Sequence, residues 1–178
     1  MRRSEFEHAV RAAAAVVGIE EVIVIGSQAT HAFMETDIPR VALQSVEADI
    51  AFRDDPDGAL ADLVDGSIGE ASLFHQTFGF YAQGVSIDTA ILPPGWQARL
   101  IRFETPATNG IVAWCLSPED LWVSKALAAR PKDLAFCRDL LKRGLVNRAI
   151  AGAMLDSVEV AEAKRILAKS LLASTSGS

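Results

Sequence analysis

Residues Val22-Ile23-Val24-Ile25 are four β-branched residues in succession, and they restrict the fold more than any other stretch of the chain. Such side chains are stiff about χ1 and pack well on a pleated surface. No polar residue alternates with them, so both faces of the strand must be covered, and the run predicts a central strand. Gly26-Ser27 closes it. The following Ser27-Gln28-Ala29-Thr30-His31-Ala32-Phe33 predicts a helix with Ser27 as its N-cap.

A second strand is predicted over 45–53, ended by the turn residues Asp54-Asp55-Pro56-Asp57-Gly58. Alternation puts Ser45, Glu47, Asp49 and Ala51 on one face and Val46, Ala48, Ile50 and Phe52 on the other. Two carboxylates about 6–7 Å apart along a strand repel each other unless a cation lies between them. Mg²⁺ takes oxygen ligands and is commonly held by one or two carboxylates together with substrate phosphates, so Glu47 and Asp49 are candidate metal ligands. A solvated strand face is the alternative when the pair is taken alone.

Elsewhere a helix over 4–17 is predicted, capped by Ser4 and stopped by Gly18, and a short helix around Leu60, Leu63 and Val64. Strands are predicted from Phe78 to Gln83 and from Val85 to Leu92, the latter carrying Asp88 on a face with Ser86 and Ala90. Two more are predicted over 98–103 and 111–116. From Ser117 the pattern is helical: Ser117-Pro118-Glu119-Asp120 combines an N-cap, a first-turn proline and an acid three residues after the cap. Further helices are predicted over 131–143, ended by Gly144, and over 147–155 and 158–172. The expected architecture is α+β, with a mixed-sheet core over 1–116, a helical part over 117–173 packed on it, and a disordered tail over 174–178.

The 178 residues suffice for a sizeable core, and 17 Lys+Arg against 23 Asp+Glu leave a net charge of -6. The surface as a whole is therefore not a nucleic-acid footprint, and a polyanion would need a local basic patch. Cys115 and Cys137 have neither zinc nor redox spacing and read as small buried hydrophobes. Glu5, Glu7, His8 and Arg11 break up the alanine-rich N-terminal run, no apolar stretch reaches membrane-spanning length, and a cytoplasmic protein with no membrane partner is expected.

A buried strand, Gly-Ser, a helix start, an acid-x-acid strand and a later third acid form a pattern that resembles the nucleotidyltransferase fold of the DNA polymerase β superfamily. The matching positions are Gly26, Ser27, Glu47, Asp49 and Asp88. Downstream, Leu116-Ser117-Pro118-Glu119-Asp120-Leu121, Lys125 and Arg130-Pro131-Lys132-Asp133-Leu134 are similar to AbiEii-type nucleotidyltransferase toxins and their relatives, as is Ser45 two residues before the first acid. The resemblance spans roughly residues 20–145. The superfamily more commonly has aspartate where Glu47 stands, and nineteen residues separate Ser27 from Glu47.

The resemblance implies a Mg²⁺-dependent enzyme that transfers a nucleoside monophosphate from an NTP to an acceptor hydroxyl and releases pyrophosphate. Glu47, Asp49 and Asp88 would be its metal ligands, with Asp49 and Asp88 catalytic. Gly26 and Ser27 would bind the nucleotide, joined by Lys125 and Arg130, with Lys125 and Asp133 also catalytic. An ion pair of Lys125 or Arg130 with Asp133 is the structural alternative for those helical residues. The relatives point to a toxin with a cognate antitoxin and to the 3′ end of tRNA as acceptor. Arg138, Lys142, Arg143 and Arg148 could form a local basic strip, although a charged helix face explains the same residues. A catalytically inactive partner-binding module and an enzyme modifying a protein or small molecule remain the other classes. His31 is expected as a helix residue near the site rather than a base, His75 has no ligand spacing, and Ser45 is expected as a small hydrogen-bonding neighbour of Glu47.

Overall fold

A computed structural model describes residues 1–174, so the tail expected to end the chain lies, from residue 175 on, outside the described residues. The chain divides into two units, one formed by Met1–Thr89 with Ile101–Cys115, the other by Ala90–Leu100 with the residues from Leu116 onward. The fold class is α+β, as expected.

The first unit is built on a mixed five-stranded sheet. Its strands are β1 (Glu21–Val24), β2 (Glu47–Ala51), β3 (Tyr81–Gly84), β4 (Ile101–Phe103) and β5 (Val112–Cys115), in the order β3-β2-β1-β5-β4. β1 is the middle strand, parallel to β5 and antiparallel to β2, and Val22, Ile23 and Val24 are all buried. The unbroken β-branched run is thus covered on both faces, which also explains its lack of alternation. β2 buries Ala48, Ile50 and Ala51 and leaves Glu47 and Asp49 half-buried. Val46, expected on the apolar face, precedes the strand and is exposed.

Helix α1 (Arg3–Val17) places Phe6, Ala9, Val10, Ala13 and Ala14 in the core at helical spacing and packs against β1, β2 and β3. Gly18 ends it in the left-handed region (φ 72°), where glycine has no Cβ penalty. The cap at the other end is Arg2 rather than Ser4: the Glu5 carboxylate, in the first turn, accepts the Arg2 backbone N–H at 2.6 Å. Helix α2 (Arg40–Gln44) leads into β2, and α3 (Ala59–Ile68) packs on β3 so tightly that a Cβ at Gly84 would lie 1.8 Å from the Ala61 carbonyl oxygen.

The strand expected from Phe78 to Gln83 is present as β3 but starts later, at Tyr81, because Phe78 is taken into a helix. Residues 73–78 form helix α4 (Leu73–Phe78): the Ser72 hydroxyl accepts the His75 N–H, Gly79 terminates the helix, and the Phe74 and Phe78 rings, one turn apart, meet at a tilt with centroids 4.7 Å apart. The strand expected over 85–92 is absent. Pairing stops where Val85 N–H donates to the Ile50 carbonyl at 2.9 Å, because β2 itself ends at Ala51 and offers no further ladder. Ser86 then takes the backbone into a 3₁₀ turn, Ile87–Thr89, accepting the Asp88 N–H on its hydroxyl and the Thr89 N–H on its carbonyl.

The segment after Gly26 is a 3₁₀ helix, Ser27–Ala32, capped by Gly26 rather than Ser27. It carries His31, almost completely buried, with its ring stacked on Phe6 at 5.0 Å and Nε2 donating to the Met1 carbonyl at 3.3 Å. Burial lowers the His31 pKa from 6.5 to about 4.

The second unit contains α5 (Pro118–Ala128), α6 (Pro131–Lys142), α7 (Arg148–Ser157) and α8 (Glu162–Ser174). α5 contacts each of the other three and buries Leu121, Trp122, Val123, Ala126 and Leu127. The Trp122 indole donates to the Cys137 carbonyl of α6 at 3.1 Å. Both cysteines are free and buried, Cys115 in β5 and Cys137 in α6. Ser117 caps α5 as expected, and Asp120 has a second task that no sequence pattern announces. Fully buried, it receives Arg99 through Nε at 2.9 Å and Nη2 at 2.6 Å, and the Ser117 hydroxyl at 2.6 Å. Arg99 also donates to the Pro94 carbonyl. Residues 98–100, expected in a strand, are taken up around this clamp, and β4 starts only at Ile101.

Two expectations follow for stability. Because the His31 pKa is lower folded than unfolded, the unfolded chain binds the proton more readily, and stability falls as pH drops from about 6.5 through about 4. The loss is about 3 kcal/mol, and His31→Phe should flatten that part of the pH profile in denaturant titrations. Asp120→Ala leaves Arg99 without its buried counter-ion and should cost about 3–5 kcal/mol, read as a lower denaturation midpoint.

Candidate functional site

The site in the first unit is set by strand register. β1 and β2 pair Ile23 with Ala51 and Val24 with Ile50, and the Ile25 N–H continues the ladder to the Asp49 carbonyl at 3.3 Å. The end of β1 is thereby brought alongside Asp49. A Cβ built on Gly26 would stand 1.7 Å from Asp49 Oδ2 and 2.6 Å from its Cγ, so the carboxylate lies directly against the glycine backbone. The Gly26 φ of -95° is open to any residue, which makes the requirement for glycine one of space rather than of backbone conformation. Ser27, half-buried, begins the 3₁₀ helix at the same point.

β2 and β3 run parallel, with Glu47 opposite Tyr81 and Asp49 opposite Gln83. Directly paired residues share a face, so Glu47, Asp49, Tyr81 and Gln83 make one polar surface. The Tyr81 hydroxyl donates to Glu47 Oε2 at 3.3 Å, and the Gln83 amide donates to Asp65 Oδ1 of α3 at 2.5 Å. Tyr81 is pushed up to about 12, first by burial and then by the negative charges of Glu47 and Glu70. Ser45 accepts the Glu47 N–H on its hydroxyl at 3.3 Å and donates to the Glu47 carbonyl at 3.2 Å. Tyr81, Gln83 and Glu70 were not identifiable from local pattern. Tyr81 comes to Glu47 only through pairing across more than thirty residues of chain.

Asp88 does not join the pair as a strand residue. It sits in the 3₁₀ turn after β3, with its backbone N–H on the Ser86 hydroxyl. Among the described residues no group of three or more His, Cys, Asp or Glu side chains is arranged to hold a metal ion. Glu47, Asp49 and Asp88 are thus not gathered into a preformed cage among the described residues, and Glu47 and Asp49 share one strand face. Two half-buried carboxylates on one strand face fit a Mg²⁺ ion that would complete its shell with substrate phosphates and water. They do not fit an all-protein cage.

In the helical unit, Asp133 is buried and receives Arg130 Nε at 2.5 Å, with Lys125 Nζ at 3.9 Å. Lys125, Arg130 and Asp133 therefore come together as an ion-pair cluster of that unit. The basic strip is not presented as four available cations: Arg143 Nε donates to Asp139 at 2.8 Å and Arg148 donates to the Leu172 carbonyl, while Arg138 and Lys142 are exposed. His75 accepts the Ala71 N–H on Nδ1 at 3.1 Å and packs its ring 4.7 Å from that of Tyr81. Among the described residues no helix is long and apolar enough to cross a membrane.

Gly26→Ala should drive the Asp49 carboxylate from its place and lower stability by about 1–3 kcal/mol. Adding Asp49→Ala removes the clashing carboxylate and should recover most of that loss, as measured by chemical denaturation of the single and double variants.

A family model described as a nucleotidyltransferase of unknown function (DUF6036) matches residues 5–167, which covers the sheet acids and the helices through the start of α8. Comparison with curated proteins and with solved structures gave no match. With Gly26 packed on Asp49, Glu47 on the same strand face and this match over most of its length, the chain belongs to that nucleotidyltransferase family.

Proposed function

We propose that the protein transfers a nucleoside monophosphate from an NTP to an acceptor hydroxyl with Mg²⁺ bound at Glu47 and Asp49. The observation that carries this reading is the Asp49 carboxylate held against Gly26, which leaves no side chain between an acid and the turn that ends β1. The acceptor oxygen forms a bond to the α-phosphorus, the bond from that phosphorus to the bridging oxygen breaks, pyrophosphate leaves, and the hydroxyl proton passes to water. Bound Mg²⁺ supplies neutralisation of phosphate charge as it develops.

The residues of the chain contribute placement. Glu47 and Asp49 hold carboxylate oxygens on one strand face, Gly26 lets phosphate and acid approach one backbone, and Ser27 stands at the turn as a hydroxyl neighbour. Lys125 and Arg130 already have Asp133 as counter-ion, so the reading assigns them no step. Asp88, in its separate turn, is not given a metal-binding role.

For the acceptor, a hydroxyl on a protein or a cationic small molecule is favoured over tRNA. Two of the four cations of the basic strip are used internally, and the chain carries a net charge of -6. The toxin role, and an antitoxin partner with it, rests on the AbiEii-type resemblance alone.

Incubation with each α-labelled NTP, Mg²⁺ and separate tRNA, protein and small-molecule acceptor pools tests the reading. Label should enter the protein or small-molecule pool and not tRNA. Glu47→Gln and Asp49→Asn should each reduce transfer by roughly 100-fold or more, as expected when several kcal/mol of charge stabilisation are lost. Asp88→Asn should leave it near the wild-type rate. Equal transfer by Asp49→Asn would remove the basis for the metal assignment.

A further inference from the structure

Glutamate at the first acid position has one more rotatable bond than aspartate, so a carboxylate there has more freedom to lose before it can serve as a ligand. The structure places a rigid group against it. Tyr81 is 6% exposed, its backbone N–H donates to the Val46 carbonyl at 2.8 Å, and its ring packs on His75 at 4.7 Å. His75 is itself held, because its Nδ1 accepts the Ala71 N–H and its own N–H donates to Ser72. The Tyr81 hydroxyl, the polar end of this immobilised ring, meets Glu47 at Oε2 and leaves Oε1 as the other ligating oxygen.

We infer that Tyr81 is a positioning residue for Glu47, holding one carboxylate oxygen so that the other is directed to the metal. The inference rests on the metal-dependent nucleotidyl-transfer reading and adds a residue to it. Groups that hydrogen-bond to a metal ligand fix its orientation, and their loss typically lowers metal affinity by about 10–100-fold. Tyr81 acts through Glu47 and touches neither phosphate nor metal, so its removal must be silent when the carboxylate can no longer reach the hydroxyl. Glu47→Asp shortens the arm by one methylene while keeping the charge, and so provides that background.

Mn²⁺ binding, followed by electron paramagnetic resonance in the presence of a non-hydrolysable NTP analogue, gives a readout independent of turnover. Tyr81→Phe should weaken Mn²⁺ binding by about 10-fold or more, with an unchanged thermal unfolding midpoint. The same substitution placed on Glu47→Asp should have no further effect. Unchanged Mn²⁺ affinity in Tyr81→Phe, with affinity lost in Asp49→Asn, overturns the positioning role and leaves the metal reading intact. Equal weakening by Tyr81→Phe in both backgrounds also overturns it, since Tyr81 would then act independently of Glu47. Absence of Mn²⁺ binding by the wild-type protein, or binding indifferent to Asp49→Asn, overturns the metal reading and the positioning role together.

Discussion

Where β1 ends, the carboxylate of Asp49 lies so close to the Gly26 α-carbon that a single added methyl would overlap it. That approach follows from the antiparallel register of β1 and β2, which carries the ladder from Val24 and Ile50 on to Ile25 and Asp49. Shifting the register by one residue would turn Glu47 and Asp49 to the other face and bring Ala48 and Ile50 out of the core. The buried apolar half of β2 therefore fixes the position of its acidic half. Hydrophobic burial supplies the energy, and the acids are carried to their place by the strand that buries Ala48, Ile50 and Ala51.

The acids of this protein divide by their surroundings. Asp120 and Asp133 are buried and each is met by an arginine, with a serine hydroxyl added for Asp120 and a lysine for Asp133. Buried charge of that kind must be compensated within the protein, and these contacts tie Arg99 to α5 and join α5 to α6. Glu47 and Asp49 are half-buried and share a face with a phenol whose pKa their charge helps raise. That contrast underlies the different assignments of the two sets.

Much of the frame was legible because local chemistry decides it. The β-branched run at 22–25 predicted a doubly covered strand, Ser117-Pro118 predicted the start of α5, and Gly18 predicted the end of α1. Helix α4 left its signal in Ser72 and Gly79, which bracket it, and Phe78, expected to open a strand, instead ends the helix. The strand expected around Asp88 failed for a non-local reason. Its alternation was sound, but β2 ends at Ala51 and leaves nothing to pair with, so Ser86 captured the backbone instead. Arg99 gave no hint of its role, since its partner lies 21 residues away.

The sequence alone determined the mixed-sheet class, the middle strand, the half-polar β2 and the acid pair, because alternation and β-branching act within a few residues. Tertiary structure decided which residues surround that pair. It put Gly26 against Asp49 and Tyr81 against Glu47, drew Lys125 and Arg130 to Asp133, and left Asp88 in a turn of its own. Those outcomes depend on register and strand length, which arise from contacts between segments tens of residues apart. No local pattern encodes them, because each requires both partners of a ladder to be in place before either side chain acquires its neighbour.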